Sequence, residues 1–584
     1  MGNFVKELRK QTLFVTLLMF SAVNLLFMHY QFFATIGLDF YFSKTSIIDN
    51  FFAVLLDVTI LFLFFLLISW RRVKLSLILT FITTLLLSFC NIVYSRFFGQ
   101  YLTFSAFGQA NNLVDNVVID SILSEIRIYD FFYLLIMLLF VCVYIKSRNK
   151  LIQKGYLRIL CFIWAVTIFI IILTHSIYLV KGSVERAIQT IYPSYSQDPE
   201  RPNWENVYPN WATFHKGLFR SVVVDYLAKG GNNMELSSEQ IQKIEKEYLK
   251  HDMRLTGKTI DDKIENVIFI IVESYLSVSS DLSINGKEIT PYLNALKRDS
   301  NVYYNGHVIP NAKIGRSSDG QLIYMTGILP LRSEITVDCA KNDSLVGLPA
   351  LLLKQGKVKH SQILVPTSPS LWEQNPMNKV YGIETMFSKN DYKERQNGDD
   401  LNDEEMFGYA NHLDDNLPQS SFSLMLTLSM HEPYDECVEH GFEIEDKSLP
   451  NRYRNYLITC HYFDQQIGKY LEHLKEIGLY DKSLIVIAAD HEPHLKNMDV
   501  EGMVSNDLPL YIINGGFDKE QAWNGPCNQL DVYTTVLDIM GVESDWRGLG
   551  HTLLNPHYSN PVSENTWQIS EWIIKGNYFR CEKE

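Results

Sequence analysis

The chain has 584 residues, and its composition excludes several classes of protein before any motif is considered. Lys plus Arg number 52 against 66 Asp plus Glu, a formal net charge of −14, which argues against a nucleic-acid binder with a broad basic surface. The 13% aromatic content is too high for a disordered chain. Eight cysteines without a C-x-x-C pair favour neither a disulfide scaffold nor a zinc ribbon. We therefore expect several folded domains and no nucleic-acid partner.

The amino-terminal 180 residues contain five apolar stretches, each close to the roughly 20 residues that cross a bilayer as a helix. The stretches are residues 12–31, 48–69, 75–94, 130–146 and 159–180. The first is too long, and too soon followed by the second, for a cleaved signal peptide. Basic residues cluster before the first stretch, at residues 6–10, and in two of the connections between stretches, at residues 71–74 and 146–158. This bias predicts a multi-pass protein of the cell membrane with a cytoplasmic amino terminus, and five crossings place everything after residue 181 outside.

Polar residues within and between these stretches suggest further features. Asp57 and Asn91 interrupt the second and third stretches. They would mark a lipid or ion path on one interpretation, and we favour the other, hydrogen bonding between helices. Residues 104–127 carry apolar residues at helical spacing, which predicts one or two short helices at the outer membrane face.

The remainder of the chain predicts a linker and an exported domain. Residues 181–262 are polar and aromatic with four prolines, which indicates a linker with juxtamembrane helices, one of them at 239–248. Residues 263–584 alternate apolar runs with helical patterns, and no internal repeat is visible. The runs that predict strands are 266–272, 362–365, 422–428, 484–488 and 508–513, and the helical patterns are 292–298, 321–326, 345–354, 452–477 and 530–540. We expect a five-helix transmembrane domain over residues 1–180, followed by an α/β domain with a mainly parallel sheet.

Polar clusters follow three predicted strands, and ligands of open α/β sheets lie beyond the carboxyl ends of strands. Glu273 follows the first strand, His431 lies in the cluster after the third, and Asp490 and His491 follow the fourth. A further cluster, Gly315-Arg316-Ser317-Ser318-Asp319-Gly320, precedes a helical pattern. Each cluster alone has an ordinary explanation: a solvated loop acid, a strand cap, or a serine at a helix N-cap.

Together, Glu273, Ser317, Asp490 and His491 form an oxygen-rich set with one imidazole, which suits Mn²⁺, Mg²⁺ or Zn²⁺. A bound divalent ion lowers the pKa of a serine hydroxyl and polarises a phosphoryl oxygen. The helix N-terminus at Ser317 also favours an anion there. Beside this set, a histidine at position 431 or 494 would protonate a leaving group or hold a phosphate.

This arrangement resembles the lipoteichoic acid synthase and phosphoglycerol transferase family, a membrane-bound, sulfatase-like branch of the alkaline phosphatase superfamily. The resemblance covers almost the whole chain, from the five spans to the exported domain. In that family, metal is bound by the Glu of an E-S strand end, the Thr of G-K-T-S-D and a D-H pair, which match Glu273, Ser317, Asp490 and His491. The family's substrate-binding His in S-N-H-x-P-[FY] matches His431. The resemblance implies one divalent ion, for which we expect Mn²⁺ first and Mg²⁺ or Zn²⁺ as alternatives.

The chain departs from the family pattern at three positions. The nucleophile is Ser317 where the synthases have Thr. The family's Trp-x-Arg, whose Arg grips phosphoglycerol, is Trp372-Glu373-Gln374 here, so the tryptophan remains as a substrate-platform candidate and the charged clamp is missing. His494 stands near the D-H pair, where the synthases have a Ser. The donor head group is therefore left open.

The sequence predicts a metal-dependent transferase that moves a phosphoglycerol-type group from a membrane phospholipid to an exported glycan or glycerol hydroxyl, through a phosphoryl-Ser317 intermediate. The first alternative is a phosphoethanolamine transferase, although such enzymes usually carry Thr as nucleophile and several exported disulfides, and five cysteines follow residue 181 here. The second is a sulfatase, which needs C/S-x-P-x-R, whereas the residues after Ser317 include neither that Pro nor that Arg. The third is a membrane sensor with a degenerate site.

Overall fold

The structure is a computed structural model of the chain. It describes residues 2–36, 44–70, 72–102, 106, 112, 115–147, 213–214, 217–219, 221–222, 235–249, 263–332, 334–392, 400–418, 420–434, 442–446, 448–493, 506–516, 522–555, 557–558 and 562–581. The chain forms two compact units, each made of two segments. The first comprises Met1–Phe107 with Ile122–Gly230, and the second Gly108–Ser121 with Gly231–Glu584.

Most of the amino-terminal helices are long and apolar. They are α1 (Gly2–Ile36), α2 (Lys44–Ile68), α3 (Val73–Phe98), the short α4 (Asn116–Ser124) and, after a 3₁₀ turn at Ile128–Phe131, α5 (Phe132–Ser147). Four segments of the described residues have the length and composition to cross a membrane: Thr12–Ala34, Asn50–Ile68, Val73–Phe98 and Ile128–Lys146. They agree with the first four predicted spans, and α4 falls within the predicted short-helix segment. The fifth span, residues 159–180, lies outside the described residues, so the count of five stays a prediction.

Two polar side chains inside this first unit accept hydrogen bonds. The Asp57 carboxylate accepts from the Phe219 N–H at 3.0 Å, and the Asn91 side-chain oxygen accepts from the Leu102 N–H at 3.1 Å. Both bonds go to main-chain groups, which satisfies polar atoms that would be costly in an apolar interior. The structure thus gives each residue a structural partner.

A buried ion pair ties the end of α3 to the turn before α5. Both terminal nitrogens of Arg96 donate to the Asp130 carboxylate at 2.7 Å, and the pair is almost completely inaccessible to solvent. A bidentate geometry of this kind is the arrangement in which a desolvated charge pair is best compensated.

The second unit is built on an eight-stranded sheet with the order β10-β4-β9-β8-β1-β7-β5-β6, beside a two-stranded hairpin of β2 and β3. The strands are β1 (Asn266–Val272), β2 (Ser283–Ile284), β3 (Lys287–Glu288), β4 (Val302–Ile309), β5 (His360–Leu364), β6 (Thr385–Phe387), β7 (Ser421–Leu426), β8 (Ser483–Ala489), β9 (Leu508–Ile513) and β10 (Cys527–Asn528). Strands β8, β1, β7, β5 and β6 form a continuous parallel block. Every residue of β1, β8 and β9 is buried, as expected for strands covered on both faces.

Helices cover this sheet and connect its strands. They are α6 (Ser238–Leu249), α7 (Ser277–Asp281), α8 (Pro291–Lys297), α9 (Ser317–Thr326), α10 (Thr336–Ala340), α11 (Leu348–Lys354), α12 (Gln374–Tyr381), α13 (Asp403–Asp414), α14 (Asn451–Glu476), α15 (Gln529–Ile539), α16 (Glu564–Lys575) and α17 (Tyr578–Cys581). The predicted α/β class with a mainly parallel sheet is therefore confirmed. The antiparallel pairing of β9 with both β8 and β4 was not expected. Strands β4 and β6 and helices α13 and α16 are among the elements that the sequence did not predict.

Helix α6 precedes the sheet in the chain and packs on α16, near the other end of the sequence. The Asn565 side-chain amide donates to the Glu247 carboxylate at 3.2 Å, and the Lys243 ammonium lies 5.9 Å from the centre of the Trp572 ring. The helix predicted at 239–248 is thus present, and it forms part of the second unit.

Candidate active site

The ends of β1 and β8 bring two acidic residues together. These strands are parallel neighbours whose register aligns Val272 with Ala489, so that Glu273 and Asp490 leave the sheet side by side. The Asp490 N–H donates to the Val272 carbonyl at 3.0 Å, which extends the pairing by one residue. The Asp490 carboxylate in turn accepts from the Ser274 N–H at 2.8 Å. Strand pairing therefore places the two residues side by side, and a main-chain N–H group holds the Asp490 carboxylate.

Ser317 begins helix α9 and points at this pair of acids. Its hydroxyl donates to Oε2 of Glu273 at 3.0 Å and lies 3.2 Å from Nε2 of His491. The neighbouring Ser318 is buried, and its hydroxyl donates to the Gly315 carbonyl at 2.7 Å. The structure therefore brings Ser317, and not Ser318, to the acidic cluster, as the sequence comparison with the family predicted.

A glycine allows α9 to approach the end of β8. A Cβ atom at Gly320 would lie 2.6 Å from the Asp490 carbonyl oxygen and 2.8 Å from its Cα. Because these are main-chain atoms that cannot rotate away, any larger residue at position 320 would push the helix outward. Gly320 thus sets the distance between the Ser317 hydroxyl and the acids.

Asp319 shapes the turn before the nucleophile, and the sequence analysis did not assign it a role. Its carboxylate accepts from the N–H groups of Lys313 and Gly315 at 2.9 Å and from the Thr336 hydroxyl at 2.9 Å. Burial raises the pKa of Asp319 to about 6. An acid three residues into a helix, after a Gly-containing loop, is the signal that would have identified it, because such acids often bind the preceding turn.

Burial of the cluster disfavours the charged forms of its two carboxyl groups and its imidazole, and this is seen in their pKa values. Burial, and then the negative charge of Asp490, raise the pKa of Glu273, and burial raises the pKa of Asp490 to about 6. Burial also lowers the pKa of His491, which keeps that ring neutral. The Glu492 carbonyl lies 2.9 Å from Nδ1 of His491 and can only accept, so Nδ1 carries the hydrogen and the Nε2 lone pair faces the acids.

These residues fit a divalent metal ion. Ligand atoms of Glu273, Asp490 and His491 lie within 4.8 Å of one another, and all three side chains are buried. Two carboxylates, one neutral imidazole and the Ser317 hydroxyl are donors that Mn²⁺, Mg²⁺ and Zn²⁺ accept. A positive ion would also offset the desolvated negative charge.

His431 follows β7, and buried polar residues hold its loop. The Asp403 carboxylate at the start of α13 accepts from the N–H groups of Leu428 and Ser429 at 2.9 and 3.0 Å. Nδ1 of His431 lies 2.8 Å from the Glu432 carbonyl, so it carries the hydrogen and Nε2 stays available to a ligand. His431 is close enough to Glu273 to influence its ionisation.

For the other predicted substrate-binding residues, the described part of the structure gives no hydrogen bond to the acidic cluster. Trp372 lies half-buried in the turn after β5, with a left-handed φ of 50°, and no hydrogen bond or ion pair within the described ranges links it to the acids. Gln374, at the position of the family's clamp arginine, is buried and donates to the Asn378 side chain at 3.0 Å. His494 lies outside the described residues, so its role stays a prediction.

Comparisons with known proteins agree with this fold. A family model described as lipoteichoic acid synthase N-terminal domain matches residues 1–189, and a sulfatase model matches residues 265–542. Lipoteichoic acid synthase 2 of Bacillus subtilis is 26% identical over 83% of this chain and 75% of its own length. The lipoteichoic acid synthase of Staphylococcus saprophyticus is 24% identical over 82% of this chain and 75% of its own length.

The solved structure of the integral membrane protein lipooligosaccharide phosphoethanolamine transferase A from Neisseria meningitidis covers 94% of this chain and 99% of that chain. Its TM-score of 0.55 at 14% identity shows a shared fold. The two family models follow one another along the chain in the order that the motifs predicted, with apolar helices first and the sulfatase-like sheet second. Over most of its length the chain is thus similar to lipoteichoic acid synthases, with a sulfatase-like domain after its apolar helices, and it is a multi-pass membrane phosphotransferase.

Proposed function

We propose that this enzyme transfers a phosphoglycerol-type head group from a membrane phospholipid to the hydroxyl of an exported glycan or glycerol acceptor. The observation that carries the proposal is the Ser317 hydroxyl at the start of α9, 3.0 Å from a buried carboxylate and 3.2 Å from an imidazole lone pair. The names of the relatives support the same reaction, since curated proteins that are similar over most of this chain are lipoteichoic acid synthases.

The reaction has two displacement steps at phosphorus. In the first, the Ser317 oxygen loses its proton and forms a bond to phosphorus, while the bond from phosphorus to the diacylglycerol oxygen breaks and that oxygen gains a proton. In the second, the acceptor hydroxyl loses its proton and bonds to phosphorus, and Ser317 leaves and regains a proton. The dipole of α9, whose amino-terminal end lies at Ser317, favours the serine oxygen as an anion. His431, whose Nε2 is available, would hold the phosphoryl group or donate the proton to diacylglycerol.

Glu273, Ser317, Asp490 and His491 would hold one divalent ion, for which Mn²⁺ is our first choice because three of the four ligands are oxygens. When bound, such an ion lowers the pKa of the serine hydroxyl and polarises a phosphoryl oxygen. Trp372 and His494 would bind the substrate, as the sequence predicts.

The intermediate can be tested directly. Purified full-length protein would be incubated with phosphatidylglycerol and without acceptor, and its peptides examined by mass spectrometry. A phosphoglycerol adduct on the peptide that contains Ser317 is expected in the wild type and in Ser318→Ala, and none in Ser317→Ala. An adduct on another residue, or no adduct while diacylglycerol is still released, would overturn the mechanism. Formylglycine at position 317 would instead support a sulfatase.

A phosphoethanolamine transferase is the second candidate, and one observation favours it. Gln374 is neutral, buried and bonded to Asn378 where the family's clamp for phosphoglycerol is an arginine. The same incubation with phosphatidylethanolamine distinguishes the candidates, because the adduct then differs in mass. A faster reaction with phosphatidylethanolamine than with phosphatidylglycerol would assign the chain to this class.

We further propose that the second unit lies outside the cytoplasm, on the strength of the basic connections near residues 71–74 and 146–158. A reporter that is active only outside the cytoplasm should be active when fused after Lys263 and silent when fused at Lys150. The reverse pattern would place the catalytic unit in the cytoplasm and contradict an exported acceptor.

A further inference from the structure

The side of the site that carries the family's arginine offers little positive charge to a phosphate here. Gln374 is neutral and buried. The Lys341 ammonium, which is nearby in the structure, contacts the Glu373 carboxylate at 2.7 Å and the Asp338 carboxylate at 3.6 Å. Its charge is therefore already balanced by two acids. A phosphodiester bound at Ser317 needs a cation from another direction.

Arg316 immediately precedes the nucleophile and has an unusual backbone conformation. Its φ of 47° and ψ of −117° are values that L-residues other than glycine rarely adopt. Its carbonyl accepts from the N–H groups of Asp319 and Gly320 at 3.0 Å, which holds the residue in place at the start of α9. A glycine at this position would relieve the strain, so the arginine side chain is retained at an energetic cost.

The guanidinium group of Arg316 lies at the rim of the acidic cluster. Its Nη1 is 4.0 Å from Oε1 of Glu492, and both side chains are about four-fifths buried. Arg316 is also near enough to His491 for its positive charge to act on that ring. The Arg316 group is thus a cation near the His491 ring, whose Nε2 lies 3.2 Å from the Ser317 hydroxyl, and Glu492 limits its range of positions.

We propose that Arg316 binds the non-bridging oxygens of the donor's phosphoryl group, in place of the clamp that Gln374 lacks, and that Glu492 is a positioning residue for it. The inference rests on the proposed function, since it assigns the phosphate of that reaction a partner. A guanidinium offers two parallel N–H donors that match phosphate oxygens, and it keeps its charge when partly buried. Two of the cluster's acids, Glu273 and Asp490, disfavour an anion, so the arginine would lower the cost of bringing one in.

Binding of a soluble head group tests this without turnover. Isothermal titration of the full-length, Mn²⁺-loaded protein with sn-glycerol 1-phosphate should show affinity about tenfold weaker in Arg316→Gln than in the wild type. Arg316→Gly should be as weak as Arg316→Gln although it relieves the backbone strain, and Arg316→Lys should fall between. Arg298→Gln, which removes an exposed arginine at the end of α8, is the matched control and should bind like the wild type.

Glu492→Gln separates positioning from charge. It leaves the Arg316 charge in place, so we expect the affinity for sn-glycerol 1-phosphate to fall by about threefold. When Arg316→Gln is already present, adding Glu492→Gln should cause little further loss of affinity. Manganese content, measured on every variant, should match the wild type. The melting temperature should match it as well, except in Arg316→Gly, where relief of the strained φ should raise it. Equal affinity in the wild type, Arg316→Gln and Arg316→Gly would overturn the inference, and so would Arg316→Gly binding like the wild type while Arg316→Gln binds weakly.

The two proposals fail in distinguishable ways. If the wild type forms no adduct on Ser317 with either phospholipid, the proposed function is wrong, and Arg316 is then judged on sn-glycerol 1-phosphate binding alone. If the wild type forms the adduct and Arg316→Gln forms it with unchanged dependence on donor concentration, only the Arg316 assignment is wrong.

Discussion

The catalytic side and the head-group side of this active site are built differently. On the catalytic side, Glu273 and Asp490 leave adjacent central strands. Main-chain N–H groups hold the Asp490 carboxylate, serine hydroxyls hold that of Glu273, and Ser317 starts a helix that packs against the end of β8. On the head-group side, Trp372 and His431 lie in turns after β5 and β7, held by side chains and local backbone conformation. The chemistry is therefore fixed by the sheet, and recognition by loops.

This difference bears on one departure of the chain from its family, the glutamine at position 374. A change at Glu273 or Asp490 would disturb atoms that the sheet places, whereas position 374 can change from arginine to glutamine because Gln374 makes a bond within its own helix, to Asn378. Loops on a rigid scaffold tolerate substitution while the scaffold keeps its geometry. We propose that substitution in these loops changes the head-group preference while the acidic cluster keeps its geometry.

The largest expected effect tests the catalytic side. Ser317→Ala should lower turnover of labelled phosphatidylglycerol by at least about 10³-fold, because the nucleophile is removed. Ser317→Thr, which restores the family's residue, should stay within about tenfold of the wild type, and Ser318→Ala should lose little. Activity of Ser317→Ala close to that of the wild type would show that the two sides have been assigned incorrectly.

The second prediction concerns metal binding. Asp490→Ala should reduce the manganese content of purified protein, measured by elemental analysis, to about a tenth of the wild-type value or less, since a ligand is lost. Asp414→Asn is a matched control: this acid is also buried, accepts from the Tyr470 hydroxyl at 2.7 Å, and belongs to α13, away from the strand ends. Equal metal content in Asp490→Ala and the control would remove the proposed ion site.

The third prediction links the two sides. Asp403→Ala would leave the N–H groups of Leu428 and Ser429 without their acceptor and loosen the loop of His431. We expect KM for the donor to rise about tenfold, with a smaller change in kcat and unchanged metal content. A fall in kcat with constant KM would show that His431 acts in the chemical step more than in binding. Circular dichroism would establish that the variant is folded.

The smallest expected effect is a change of preference. Gln374→Arg should improve the ratio of kcat/KM for phosphatidylglycerol over phosphatidylethanolamine by a few-fold, because it restores the family's charged clamp. Gln374→Met, which removes the bond to Asn378 without adding charge, is the control. If both variants shift the ratio equally, local packing and not charge decides the preference.

The sequence predicted the buried strands well because their composition leaves few alternatives. Strands β1 and β9 have the predicted bounds, and the ends of β8 differ by one residue, since uninterrupted apolar runs suit strands covered on both faces. The run of β9 could not reveal its antiparallel direction, because burial on both faces gives the same pattern in either direction. Strand β4 was missed because Asn305, Gly306 and His307 interrupt its apolar residues, and the structure has a register shift at that point.

The acidic cluster was predictable because strand ends collect at one edge of a sheet, so Glu273 and Asp490 were expected to meet. Arg316 and Asp319 were not assigned roles, because their importance depends on a strained turn and on three hydrogen bonds that no spacing reveals. Helix α9 begins four residues before the predicted start, since its polar first turn lacks apolar periodicity. Span five and His494 lie outside the described residues.

The packing of α6 on α16 has a practical consequence for anyone who wants the catalytic unit as a soluble protein. A fragment that starts at Lys263, directly before the sheet, would discard α6 and expose the face of α16 that contacts it, including the surroundings of Trp572. Such a fragment would carry an uncovered apolar strip and tend to aggregate. A fragment that starts near Glu235 keeps this cover, and we expect its yield and its resistance to proteolysis to be higher.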